Sequence, residues 1–239
     1  MIPKKINYIW LGKNKMNNAS LMSINSWRRN LPDYEIIMWN EEKIDFEKLL
    51  SENKFLKECY NRKLWAFVSD YLRILILYNE GGIYLDTDVE VIKSFDNLLN
   101  CSCFMGYEAN DYIGTGIIGA EKKNKTLKHI LDFYDSEIWN VEFYNNPVIF
   151  SYIKKNNSES FDTCTLFPES YFAPYNPLKS YSSLIEKPDT YAIHWYNANW
   201  GMSRKGYVFL NTKHYKNPVV KIFQIIRKNI GYFEKKYLK

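Results

Sequence analysis

Gly81-Gly82-Ile83-Tyr84-Leu85-Asp86-Thr87-Asp88-Val89-Glu90 is the stretch on which the reading of the fold turns. The two glycines follow a long apolar run and predict a helix stop, because glycine accepts the left-handed backbone found at helix ends. Ile83 and Leu85, then Val89 and Val91, alternate with polar residues and predict a strand that enters and leaves a special site. On an extended backbone, residues two apart share a side, so Asp86 and Asp88 are expected to project in parallel while Thr87 faces away. Two close carboxylates repel and each is costly to desolvate, and a hard divalent cation between them would relieve both costs. A lone D-x-D is also common at solvated strand ends and turns. The apolar strand and glycine pair before this one favour the metal site.

Immediately upstream, residues 64–78 carry a dense amphipathic pattern and predict a helix that runs through Gly81-Gly82 into the acidic strand. Asp70 and Arg73 are three apart on it and share one face. A buried intrahelical ion pair is the usual reason for that spacing. The functional alternative has Arg73 reaching an anionic ligand and Asp70 accepting hydrogen bonds from sugar hydroxyls.

Further back, residues 4–11 are apolar on both sides and end at Gly12, the pattern of a buried strand with a turn after it. Leu21, Ile24 and Trp27 fall at helical spacing within residues 18–30, Leu31-Pro32-Asp33 breaks that run, and residues 34–39 read as a second strand. Strand, helix, strand is the opening of a parallel α/β sheet, and such sheets bind ligands at the carboxyl ends of their strands. Trp10 stands at that end. It either stacks on a ligand base or packs in the core.

Downstream, residues 104–107 predict a strand, and residues 112–120 a glycine-rich strand and turn without the order of a phosphate-binding loop. Residues 125–134 and 148–154 read as helices, and residues 165–168 and 171–174 as short edge strands and loops stopped by proline. Tyr191 to Trp195 reads as a last buried strand. His194 on it is either a satisfied core residue or a third ligand that, with ligand phosphates, completes a cation held by Asp86 and Asp88. Residues 217–239 predict a basic amphipathic helix: Val219, Val220, Ile222, Phe223, Ile226, Ile230 and Phe233 on one side, with Lys221, Arg227, Lys228, Lys235, Lys236 and Lys239 around them. Such a tail docks on its own domain or lies in the plane of an anionic membrane.

The composition bounds these readings. The chain has 239 residues, within reach of one large α/β domain, and 46% hydrophobic content supplies enough material for one core. No run approaches the roughly 20 apolar residues of a membrane span, and no apolar leader precedes the first strand, so a cytoplasmic protein is expected, peripheral on the inner face of the cell membrane if the tail binds lipid. Cys59, Cys101, Cys103 and Cys164 show no C-x-x-C spacing and are expected to be reduced. A net charge of +5 suits diphosphates or anionic lipid without demanding nucleic acid, and no nucleic-acid partner is expected.

Six stretches, taken together and in order, resemble the DXD-containing retaining glycosyltransferases that group capsular-polysaccharide enzymes with fungal initiating mannosyltransferases, the glucosylating bacterial toxins being distant relatives. They are I-P-K-K-I-N-Y-I-W-L-G (2–12), S-W-R-R-N-L-P-D-Y-E-I-I-M-W-N (26–40), A-F-V-S-D-Y-L-R (66–73), G-G-I-Y-L-D-T-D-V-E (81–90), I-G-T-G-I-I-G-A (113–120) and Y-A-I-H-W-Y-N-A-N-W (191–200). The resemblance implies a GT-A (nucleotide-diphospho-sugar transferase, Rossmann-like) α/β fold, with a mostly parallel central sheet and helices on both faces. It implies a catalytic domain over residues 1–200, followed by a C-terminal extension at 201–239. It also implies transfer of a hexose or N-acetylhexosamine from a nucleotide-diphosphate sugar, a UDP-sugar first among them, to a glycan acceptor, in capsular or surface polysaccharide synthesis. A lipid-linked acceptor is among the candidates. The alternatives are a toxin-like effector that glycosylates a protein, and a non-catalytic nucleotide-sugar-binding module.

Carried over by position, the resemblance makes Asp86, Asp88 and Arg73 the catalytic group. Asp88, Asp86 and His194 become the ligands of Mn²⁺ or Mg²⁺. Donor contacts fall to Trp10 on the base, Asp70 on hydroxyls, Arg73 on the sugar or diphosphate, and Tyr84, Asp86, Asn199 and Trp200. Trp200 would donate its indole N–H to the departing phosphate. The small hydroxyl residue usual before that tryptophan is here Asn199.

Overall fold

The computed structural model of the chain describes residues 1–108, 112–197 and 201–237, with side chains described up to Tyr232. Its eight strands among these residues are β1 (Lys5–Ile9), β2 (Glu35–Trp39), β3 (Gly82–Leu85), β4 (Val89–Val91), β5 (Cys103–Glu108), β6 (Tyr112–Ala120), β7 (Thr165–Phe167) and β8 (Ala192–His194). The helices are α1 (Asn18–Asn30), α2 (Phe46–Glu52), α3 (Lys54–Asn61), α4 (Trp65–Glu80), α5 (Lys125–Asp135), α6 (Asn146–Asn156), α7 (Glu169–Phe172), α8 (Arg204–Thr212) and α9 (Pro218–Tyr237). Six strands form one sheet in the order β2-β1-β3-β6-β5-β7, and β4 pairs with β8 in a separate ribbon. β1 is parallel to both β2 and β3, β6 runs against its neighbours β3 and β5, and β7 is parallel to β5. Only β6 reverses direction, so the expected mostly parallel sheet is observed.

Each strand shares its side chains between two cores, as the period of two requires. Ile83 and Leu85 of β3 join one cluster with Ile6, Trp27 and Phe104 on the α1 side. Tyr84 between them points into the other cluster with Val68, Leu72 and Ile118 beneath α4 and α5. The apolar-on-both-sides sequence of β1 reflects this double burial.

The elements that carry the site are fixed by local chemistry. Asn17 caps α1 by accepting from Ser20 N at 2.8 Å, and Leu31 closes it through a bond to Trp27 O. α4 stops where Gly81 and Gly82 take φ of +68° and +102°; a Cβ on Gly82 would stand 2.7 Å from Lys5 O, so β1 can approach β3 only over a glycine. The buried Asn7 side chain ties this corner together, donating to Gly81 O at 3.1 Å and accepting from Trp39 Nε1 at 2.9 Å.

Two segments differ from the sequence expectation. Tyr171 and Phe172 end the short helix α7 rather than forming an edge strand, because Pro168 serves as its N-cap and the rings pack inward around Tyr191. Asp86-Thr87-Asp88 is a tight turn closed by Val89 N donating to Asp86 O at 3.0 Å, not a continuous strand.

Candidate active site

β3 delivers Asp86 to the carboxyl end of the sheet, the turn reverses the chain at Thr87-Asp88, and β4 leads away along α1. Three bonds hold β4 there: Trp27 Nε1 to Val89 O at 2.7 Å, Val91 N to Ser26 Oγ at 2.9 Å, and Asn30 Nδ2 to Val91 O at 2.7 Å. Val89 is in register with His194 of β8, and Trp195 N donates to Asp88 O at 3.0 Å. A strand more than a hundred residues later is thereby pinned to the acidic turn. The result is a cluster of Asp86, Asp88 and His194 whose ligand atoms all lie within 4.8 Å of one another. The aspartates converge because the turn folds them together, not because of the two-residue pleat. Thr87 does not face away either; it lines the same cleft.

That cleft, about 190 Å³, is also lined by Ser69, Asp70, Arg73, Tyr84 and Asn197. Asp70 and Arg73 meet as their spacing predicts, with Arg73 Nη2 3.0 Å from Asp70 Oδ1. The same guanidinium reaches Asp86 Oδ2 at 3.1 Å and Thr115 O at 2.7 Å through Nη1, and Ser69 O at 3.4 Å through Nε. Its plane lies 4.7 Å from the Tyr84 ring, and the buried Tyr84 hydroxyl donates to Asp86 Oδ1 at 2.8 Å. Asp86 is thus braced from two sides. The Asp70 and Arg73 spacing gives the buried intrahelical ion pair, and that pair lines the cleft.

The electrostatics follow from crowding. Burial pushes the Asp70 carboxyl up to about 6, against the opposing pull of Arg73, with Asp86 adding to the rise. Burial works to lower the His194 pKa, but its hydrogen bond to Asp88 and the charges of Asp88, Asp86 and Glu108 outweigh that and raise it above the ordinary value. His194 Nε2 stands 3.3 Å from Asp88 Oδ1. Four carboxylates face one guanidinium and one imidazole here, a surplus of negative charge that a cation would neutralise. Two carboxylates and one imidazole fit Mg²⁺ or Mn²⁺, with the remaining positions left to ligand phosphates and water.

Gly116 in β6 makes the close packing possible: a Cβ there would stand 3.1 Å from His194 and 3.2 Å from Asp86. Glu108 was not anticipated from the sequence. It lies at the end of β5, accepts from Tyr196 Oη at 3.3 Å, and burial raises its carboxyl while His194 and the Tyr196 bond lower it. A single glutamate ending a strand carries no pattern that would single it out.

Trp10 follows Ile9, which lines the cleft, and it stands at the carboxyl end of β1; its indole N–H donates to Asn14 O at 2.6 Å. Asn199 and Trp200 lie outside the described residues. A second cleft of about 430 Å³ is lined by Met22, Arg29, Glu90 and Trp195 and shares Asn197 with the first.

The sheet order, the acidic turn at its carboxyl edge and the histidine strand that closes over the turn are those of a GT-A fold. Residues 18–105, under half of the chain, match the family described as "Glycosyltransferase sugar-binding region containing DXD motif". It is 26% identical over 225 residues to Subversion of eukaryotic traffic protein A of Legionella pneumophila, covering 81% of this chain and 34% of that protein. It is 32% identical over 115 residues to inositol phosphoceramide mannosyltransferase 1 of Schizosaccharomyces pombe, covering 44% of this chain and 33% of that one. The chain therefore spans about a third of the length of these curated relatives. Among solved structures, PaToxG glycosyltransferase shares the fold with a TM-score of 0.51 at 21% identity, over 67% of this chain and 73% of that one. The UDP-bound glycosyltransferase domain of the YGT toxin does so with 0.50 at 10% identity, over 99% of this chain and 91% of that one.

Proposed function

We propose that the chain is a metal-dependent, retaining glycosyltransferase that moves a hexose or N-acetylhexosamine from a UDP-sugar to a glycan acceptor, in the synthesis of capsular or surface polysaccharide. The observation that carries this reading is the convergence of Asp86, Asp88 and His194 on one point beside the Arg73-braced cleft. Fold similarity to a UDP-bound glycosyltransferase domain favours uridine as the base.

In transfer, the bond between the sugar's anomeric carbon and the diphosphate oxygen breaks, the acceptor oxygen bonds to that carbon, and the acceptor proton passes to the leaving phosphate. Negative charge therefore grows on the diphosphate while the sugar carbon becomes positive. A divalent cation held by Asp88, Asp86 and His194 would supply positive charge for that diphosphate. Arg73 is engaged on Ser69, Asp70, Asp86 and Thr115, so its part is to hold the two carboxylates in place, leaving Asp70 as the hydroxyl-binding wall. Trp10 takes the base at the end of β1, with Tyr84 securing Asp86 from below, and the indole of Trp200 donates to the leaving phosphate. Retention proceeds by front-side attack.

A panel of UDP- and GDP-sugars assayed for donor hydrolysis, with and without Mn²⁺, tests the proposal. Hydrolysis of one UDP-sugar that depends on the ion supports it. Activity indifferent to chelation, or absent with every donor, sinks it.

A second reading has a specific observation behind it. The relative that aligns over 81% of the chain is described as subverting eukaryotic traffic, which favours a protein acceptor. Incubation with labelled donor and a eukaryotic lysate separates the two, since only an effector labels a discrete protein band. The exposed apolar side of α9 supports peripheral attachment to an anionic membrane at the inner face of the cell, where a lipid-linked acceptor would lie.

A further inference from the structure

α9 is docked the wrong way round for an ordinary surface helix. Val219, Ile222, Phe223, Ile226 and Ile230 are each more than half exposed, while Lys221, Gln224, Lys228 and Asn229 are half-buried, with Ile225 as the apolar residue among them, on the side turned to the domain. The docked side is anchored by Tyr232, whose ring lies 5.6 Å from that of Tyr207 and whose hydroxyl donates to Met202 O at 3.2 Å. Exposing five large apolar side chains costs on the order of 1.5–3 kcal/mol each relative to burying them, so an unpartnered stripe of this length marks a surface that meets something apolar.

Beside the stripe, between α3, α8 and α9, lies a cleft of about 610 Å³. Lys54, Arg62, Arg204, Lys205 and Lys221 line it against the single carboxylate of Glu58. Two of these cations are held over aromatic rings, Arg62 4.4 Å from Phe209 and Lys54 5.2 Å from Trp139, and Arg62 is also paired with Glu58, which leaves the lysines as the cations open to a ligand. Among the described residues neither Lys205 nor Lys221 has an ion-pair partner, and Lys221 sits on α9 itself, on the side turned to the domain, with Asn229 bringing the cleft to the edge of the apolar stripe.

We propose that this cleft is a binding site for the phosphate headgroup of an anionic lipid, and that α9 lies in the membrane interface with its apolar stripe among the acyl chains while the cleft takes a headgroup beside it. This deepens the membrane attachment stated above by naming its site, and it does not depend on the catalytic reading. Charge complementarity selects a lipid surface over a second copy of the chain: a basic cleft at the edge of an apolar stripe matches the layered anionic and apolar profile of a bilayer, whereas two copies apposed through the stripe would leave the cleft lysines without a counter-charge.

Cosedimentation of the full chain with vesicles tests this. The probes are phosphatidylcholine alone and an equal mixture of phosphatidylcholine with phosphatidylglycerol. The chain is expected to sediment with the mixture and to remain in solution with phosphatidylcholine. The pair Lys205→Glu with Lys221→Glu is expected to weaken that binding by about tenfold or more, since each basic side chain near the surface contributes severalfold. Ile222→Ser with Phe223→Ser is expected to abolish it. Thermal melts that match the parent establish that both variants fold, and unchanged donor hydrolysis establishes that the active site is untouched. Equal binding to both vesicle types, or a charge-reversed cleft that binds like the parent, overturns the proposal. So does a dimer in sedimentation velocity that the serine pair dissolves, since the stripe would then be a contact between copies. If the parent chain hydrolyses no donor yet binds vesicles as described, the catalytic reading fails and this one stands.

Discussion

The cleft at the acidic turn and the helix α9 break the same rule in opposite directions. In the cleft, charge is inside: Arg73 and Asp88 are buried, and Asp70 is nearly so. On α9, apolar side chains are outside. The cleft satisfies its charges internally, through Arg73 on Asp70 and Asp86, Tyr84 on Asp86 and His194 on Asp88, leaving a surplus of negative charge at one point. The helix satisfies nothing on its exposed side. A folded chain tolerates either departure only where a partner completes it, and the two incomplete regions call for partners of opposite kind, a cation in one and an apolar surface in the other.

The comparison breaks first, and by the largest amount, at Asp86. Asp86→Ala is expected to lower donor hydrolysis by roughly a thousandfold with a near-native melting temperature, whereas serines in α9 leave hydrolysis unchanged. Retained hydrolysis would show that the cleft's charges are structural. Next comes Arg73→Met, which leaves Asp70 and Asp86 buried without their common partner. Denaturant unfolding should register a loss of about 3–5 kcal/mol, and a loss below about 1 kcal/mol would mean that the pair behaves as a surface ion pair.

Asp70 sharpens the contrast through pH. Its carboxyl has a folded pKa raised to about 6 from 3.8 by burial. A raised folded pKa means the folded state prefers the protonated form, so this contribution is fully present below pH 3.8 and is lost as pH rises through about 6. Unfolding free energy followed between those limits should therefore carry a downward slope from this group, of the order of 3 kcal/mol in all, which Asp70→Asn removes. An unchanged slope in the variant would place the titration elsewhere. The smallest effect is expected of Gly116→Ala, whose new methyl would press on His194 and Asp86 at 3.1–3.2 Å. About a tenfold rise in the Mn²⁺ concentration needed for half-maximal hydrolysis, with little change in stability, is the expected result; no change would mean that the cluster yields freely.

Much of this was legible in the residues alone. The end of α1 follows from Leu31-Pro32 and the end of α4 from Gly81-Gly82, because each signal is local and chemical, whereas residues 112–120, which read as a strand and turn, form one continuous strand. What was not legible is non-local. The pairing of Val89 with His194 joins strands more than a hundred residues apart, and only that pairing shows why the histidine meets Asp88. The turn at Thr87 was misread because alternation predicts a strand and carries no information about a single hydrogen bond from Val89 N to Asp86 O. Glu108 had no pattern around it. Periodicity found the apolar stripe of α9 but could not tell inward from outward, since that depends on which side Tyr232 anchors.

The central claim is that Asp86, Asp88 and His194 hold one divalent cation, and manganese binding measured by electron paramagnetic resonance tests it most directly. Free Mn²⁺ titrated with the parent chain in the presence of UDP should lose its signal to a single bound ion, and both Asp88→Asn and His194→Ala should restore it. Equal manganese binding by the parent and the two variants would contradict the account.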